Sequence, residues 1–238
     1  NRDEFNIVKI GNDFSQVRSV FYGLGAYAKS DILSQEAIAR GVEENRKNEL
    51  LPFIPPPLYY EGFKVQRKWL YEFLHKPFSL RPWLNIVMPK FSFTKSEIDN
   101  LIGFFIYSAN MDVPYEIYPR LSKEYINTKI KLDNNYLKKA KEIFDKLECV
   151  KCHIVGKKNP EGSPENWAPD LLIAKERLNP EWMITWIYDP QKVQPQTKMP
   201  TFYENGKPNE IVKDMFDGNT QKQIEALVDY ILHELKEE

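Results

Sequence analysis

The sequence predicts an all-α chain built as two tandem copies of one helical unit. Three observations carry this. Apolar residues recur at helical spacing in several segments, and no convincing pair of strands stands out. Landmark residues repeat at a nearly constant offset along the chain. Many of the seventeen prolines and ten glycines fall between the helical segments, where they mark long ordered loops.

The elements follow in order. Residues 13–25, DFSQVRSVFYGLG, place Val17, Val20, Phe21 and Leu24 on one helical face. Residues 96–107 form a second helix. Residues 134–148, NNYLKKAKEIFDKLE, repeat the pattern with Leu137, Ala140, Ile143, Phe144 and Leu147. Residues 180–190 open on Pro180, a good first helical residue, and end before Pro190. Residues 221–235 make an amphipathic closing helix.

The repeat is read by laying 67–91 over 180–202. Trp69 matches Trp182, Pro77 matches Pro190 and Pro82 matches Pro195, all at an offset of 113. Met88-Pro89 then matches Met199-Pro200, and Phe91 matches Phe202, at 111. Upstream, PPL at 56–58 matches PDL at 169–171, and 20–30 lies over 143–153. The domain reading is 1–110 for the first copy, a linker at 111–133 in which DVPYEIYPRL looks irregular, and 134–238 for the second copy.

Composition bounds the function. With 33 basic and 34 acidic residues the net charge is −1, and the signs are interspersed, which argues against a general nucleic-acid binder. Apolar residues reach 42%, enough for a core. The longest apolar runs, such as LIGFFIY at 101–107, fall short of the roughly 20 residues of a spanning helix. No signal peptide is visible, and a start at Asn1 fits a processed mature protein, although a trimmed chain would look the same. Two cysteines cannot build a disulfide framework.

Those two cysteines sit in LECVKCHIVG, 147–156. Cys149, Cys152 and His153 form Cys-x-x-Cys-His, the attachment signature of a c-type haem. Two thiols spaced by one turn reach the two vinyl groups on one porphyrin edge, and the next residue carries an imidazole under the ring. A zinc site needs four Cys or His ligands, and only His75 and His233 remain, with no second pair at motif spacing. A redox dithiol is expected beside a βαβ pattern, which is missing.

The sixth ligand is an open choice among five methionines. Met183 lies on an apolar helix face and reads as core. Met111 belongs to the linker, and Met215 sits among charges. Met199, in the Pro-bracketed loop PQTKMPTF, is the favoured ligand, with a gap-filling core role as its alternative. Its soft sulfur favours Fe(II). Trp182, Trp186, Leu171 and Phe202 would bury the ring and push the potential the same way, or serve as plain packing.

On these motifs residues 134–238 resemble a class I cytochrome c domain: an N-terminal helix, CxxCH, a Pro-Leu segment, a middle helix, a Met-Pro loop and a C-terminal helix. The resemblance implies one covalent haem c, ligated by His153 and Met199. It gives Pro169 the role of accepting the His ring N–H, makes Leu171 a haem contact, and packs helix 134–148 on helix 221–235. The first half resembles the same family but has Ala26-Tyr27-Ala28-Lys29-Ser30 where the second has Cys-Val-Lys-Cys-His. It reads as a cytochrome c fold that has lost its haem, its space filled by the insert between Ser30 and Pro56. A noncovalent haem on Met88 and Lys29 is the weaker alternative, since no imidazole is available. His75 aligns with Tyr188 and reads as a surface residue.

The implied function is single-electron transfer between protein partners, without catalysis. The chain would be a subunit of a larger respiratory or oxidoreductase complex, with the haem-less half used for docking or assembly. A near-neutral charge agrees, since free shuttles often steer by strong charge. The alternatives are a haem-based enzyme or sensor with a displaceable distal ligand, and a mainly structural subunit. Covalent haem attachment on the outer side of an energy-conserving membrane implies a periplasmic or equivalent compartment.

Overall fold

A computed structural model describes residues 58, 60–83, 88–111, 117–194 and 197–237. The fold is all-α. Among the described residues there is no strand, only isolated bridges. The helix expected at 13–25, the Ala26–Ser30 segment, the insert up to Pro56 and Pro195 lie outside the described residues.

The chain divides into two units, Asn1–Phe63 with Tyr71–Val113, and Lys64–Leu70 with Pro114–Glu238. Counting the described helices, α1 is Glu61–Lys64, α2 Arg67–His75 and α3 Lys95–Ser108. The 14-residue α3 starts on a capping box: Thr94 accepts from the Glu97 amide and the Glu97 carboxylate accepts from Thr94. Ile98, Ile102, Phe105 and Ile106 are its buried stripe. A Cβ on Gly62 would stand 2.2 Å from the Phe105 carbonyl oxygen, so only glycine permits this approach. His75 is exposed, and so is Met88, at 37%.

In the second unit α4 is Lys123–Leu132, α5 Tyr136–Lys146, α6 Ala174–Arg177, α7 Pro180–Tyr188, α8 Pro190–Val193 and α9 Thr220–His233. The stretch 111–133, expected as a linker, therefore carries a helix in its second half. A 3-10 turn at Pro119–Leu121 leads into α4, whose N-cap Ser122 accepts from the Tyr125 amide. This segment folds with the second unit because it buries Ile126 and sends Arg120 to the fully buried Asp229 at 2.7 Å.

α5 and α9 form the centre. Tyr136, Ala140, Ile143 and Phe144 on α5 face inwards, as do Ile224, Leu227, Val228 and Ile231 on α9. The rings of Phe144 and Tyr230 meet at 5.2 Å between the two helices. Ile143 and Ile224 are both 0% exposed, worth about 1.5–3 kcal/mol each on burial. The N-cap Asn219 accepts from the Lys222 amide and starts α9 at Thr220, one residue before the periodic pattern read from the sequence.

Two pairs of described helices keep the spacing of the sequence repeat. α1 and α6 have four residues each, α2 and α7 nine each, and all four start and end 113 residues apart. α3 and α9 both have 14 residues. Within the second unit the equivalent segments 64–70 and 177–183 also touch reciprocally. Val65 and Leu178 form an antiparallel bridge. The Gln66 amide donates to the Arg177 carbonyl at 2.8 Å, and the Asn179 amide donates to the Lys64 carbonyl at 3.0 Å.

Candidate functional site

Helix α5 ends at Lys146, and Leu147 caps it. Glu148 then takes a left-handed conformation, φ 55°, which turns the chain into a 3-10 turn at Cys149–Lys151. The Cys149 carbonyl accepts from the amides of Cys152, at 3.3 Å, and His153, at 2.9 Å. One tight turn therefore carries both sulfurs and the imidazole. Cys149 and Cys152 are both free thiols. Cys152 is exposed, whereas burial pushes the Cys149 thiol up to about 12.

The His153 ring is fixed from the next segment. Residues 168–171 run beside 152–154: the Ala168 amide donates to the Cys152 carbonyl at 2.7 Å, and the Leu171 amide to the Ile154 carbonyl at 2.9 Å. The Asp170 carboxylate accepts from the amides of Gly156 and Leu172 and closes this crossing. It brings the Pro169 carbonyl 2.9 Å from His153 Nδ1. A carbonyl can only accept, so Nδ1 carries the proton. Burial pulls the imidazole pKa below its ordinary value, against the pull of the Pro169 bond, so the ring is neutral. Nε2 is then left with a bare lone pair, the form in which histidine binds a metal.

Met199 is held separately. Gln191 Nε2 donates to the carbonyls of Thr197, at 2.8 Å, and Met199, at 3.1 Å. Lys198 Nζ reaches the Asn166 side chain at 2.9 Å. Trp186 Nε1 donates to Met199 Sδ at 2.7 Å. A thioether sulfur has two lone pairs, so one remains for a metal.

Trp182 is 6% exposed and stacks on Trp186 at 5.1 Å and 18°. Leu171 and Phe202 are half-buried. Met183 is buried in α7 at 4%, as a core residue. The backbone carbonyl of Met215 is used by Gln223 Nε2 at 2.7 Å, which ties its loop to α9.

Sequence reading missed four residues that shape this site. Glu148 supplies the left-handed bend. Gln191 pins the Met199 loop, and Lys64 lies 5.9 Å from the Trp182 ring centroid. Tyr203 is 1% exposed, and its hydroxyl has no hydrogen-bond partner among the described residues. Its phenol is pushed up by burial and then by the charge of Cys149. The TFYENG segment gave one signal for Tyr203, an aromatic directly after Phe202. Nothing local marked the other three.

These residues fit a covalently held haem. Two thiols share one turn, a neutral imidazole is oriented with a free nitrogen, a thioether is held in a braced loop, and the buried Tyr203 hydroxyl has no hydrogen-bond partner among the described residues. Among the described residues no group of three or more His, Cys, Asp or Glu side chains gathers to hold a metal ion.

Comparison with known proteins agrees with this chemistry. A family model described as Cytochrome c matches residues 137–234. The chain is also similar to the cytochrome c oxidase subunit 2 of Bacillus subtilis (strain 168), 28% identical over 90 residues. That alignment covers 34% of this chain and spans a quarter of the relative's length, 25%. No solved structure matches the chain.

Proposed function

We propose that the chain is a monohaem c-type cytochrome that carries single electrons between protein partners and transforms no substrate. The observation that carries this reading is the Cys149–His153 turn with His153 Nδ1 tied to the Pro169 carbonyl. Cys149 and Cys152 would hold the group through thioether bonds, and His153 and Met199 would bind its iron. When bound, the haem iron supplies a one-electron Fe(III)/Fe(II) couple. The chain's own part is to fix the ligands before and after the electron arrives, so that little has to move. Buried α5 and α9, the Pro169 carbonyl and the Gln191 clamp all serve this.

Membership of a larger oxidoreductase complex is supported by the likeness to a protein named as an oxidase subunit. The first half, with Ala26 to Ser30 in place of the attachment motif, is read as a second copy of the fold that has no haem and serves docking or assembly. The equal lengths of α1 and α6, of α2 and α7 and of α3 and α9 support that reading. No helix among the described residues is long and apolar enough to cross a membrane. An extracytoplasmic compartment such as the periplasm is proposed from the chemistry of covalent haem attachment.

A pyridine haemochrome assay combined with intact mass tests the proposal. One covalent haem per chain is expected, lost in the Cys149→Ser/Cys152→Ser double variant. A colourless chain, or pigment extracted by acidified acetone, would sink the haem c reading. A second equivalent of haem would overturn the empty first half.

A further inference from the structure

The segment 64–70 is more than a neighbour of the site. Its pairing with 177–183 is reciprocal at every level. The Gln66 amide and the Arg177 carbonyl, and the Asn179 amide and the Lys64 carbonyl, are equivalent bonds at the 113-residue offset. Gln66 Nε2 adds bonds to the carbonyls of Lys175, at 2.7 Å, and Leu178, at 2.9 Å. Each side also places a cation on the other side's tryptophan. Arg177 lies 5.0 Å from the Trp69 centroid, and Lys64 lies 5.9 Å from the Trp182 centroid. A chance surface contact has no reason to repeat itself in this way.

Only one of these two cation contacts leads to the site. Trp182 and Trp186 are four residues apart on α7, so they share a helix face, and they stack at 5.1 Å. Trp186 in turn donates to Met199 Sδ. Lys64, Trp182, Trp186 and the thioether therefore form one continuous chain of contacts. Gln191 fixes the backbone at Met199, which leaves the side-chain torsions as its remaining freedom, and the indole N–H removes that freedom.

We propose that Lys64 is a positioning residue for Met199, acting through the Trp182–Trp186 stack. Its cation presses on the face of Trp182 and holds both rings in register, and the braced Trp186 N–H keeps the sulfur in one orientation. The segment from 64 to 70 is then a built-in brace for the sixth-ligand side of the site. This inference rests on the haem reading given above.

The test is displacement of Met199 by added imidazole in the purified holoprotein, followed by absorbance. Lys64→Met keeps the stem and removes the charge. Its imidazole binding constant should rise about 2- to 5-fold, the Boltzmann factor for one cation–ring contact. Lys64→Arg should restore the parent value. In a Trp182→Leu background Lys64→Met should have no further effect, because the relay is already cut. Unchanged displacement in Lys64→Met, or an equal effect with and without Trp182, would overturn the proposal. A fall in unfolding midpoint without any change in displacement would overturn it too, since that is a purely structural role. Absence of covalent haem from the parent protein would sink the haem reading, whereas a normal haem content with no Lys64 effect would sink only this inference.

Discussion

The guanidinium of Arg120 lies 2.7 Å from the carboxylate of Asp229, 109 residues further along the chain. Asp229 is 0% exposed, and Tyr136 Oη also donates to it at 2.7 Å, with Tyr125 Oη at 3.4 Å. Burial and the adjoining carboxylate push the Tyr136 phenol up, so it stays protonated and remains a donor. This cluster joins the segment before α4, the start of α5 and the middle of α9.

Removing Asp229 takes away the short, fully buried partner of Arg120 and leaves it only the longer pairs to Glu181, at 3.6 Å, and Glu225, at 3.8 Å. Asp229→Ala should destabilise the second unit by about 3–5 kcal/mol. Urea unfolding measures this. Arg120→Met/Asp229→Leu should cost much less, because both charges leave together. A single variant with parental stability would show that the cluster carries none of the fold.

Met199→Ala should open the sixth coordination position. The reduced protein should then bind carbon monoxide, and the midpoint potential should fall, since the soft thioether no longer favours Fe(II). Redox titration and the carbon monoxide difference spectrum read both effects. If spectrum and potential stay as they were, the ligand is Met215 or another group.

The two thiols should differ in a haem-free preparation. Cys152 is exposed, while burial pushes Cys149 up to about 12. The thiolate is the species that alkylates, so Cys152 should react first with iodoacetamide at pH 8. Peptide mass spectrometry gives the order. Equal rates would mean that the 149–151 turn is not formed without haem.

Gln191→Leu should loosen the Met199 loop. The two lost hydrogen bonds, to Thr197 and Met199, are worth about 0.5–1.5 kcal/mol each. For one such bond the equilibrium for displacing Met199 by imidazole should shift by about 2- to 10-fold. No shift would show that the loop is held by its prolines and Trp186 alone.

Local pattern made much of this protein legible from its residues. The spacing of Cys149, Cys152 and His153 names a covalent attachment chemistry whatever the fold around it, because two thiols and an imidazole on one turn leave few alternatives. Helical periodicity located α5, α7 and α9 to within two residues, because each buries one apolar face and starts at a capping or Pro residue. α2 and α7, matched at an offset of 113 in the sequence, have nine residues each. What local pattern could not convey is contact between residues far apart in the chain. DVPYEIYPRL reads as linker because its decisive interaction, Arg120 with Asp229, lies 109 residues away. Lys64 reads as a surface lysine until the fold sets it over Trp182, and Trp186 reads as packing until its N–H meets Met199. The sequence by itself determined which atoms could bind a haem. Tertiary structure alone decided how they are aimed and braced, because hydrogen bonds and ring contacts depend on distances that chain order does not record.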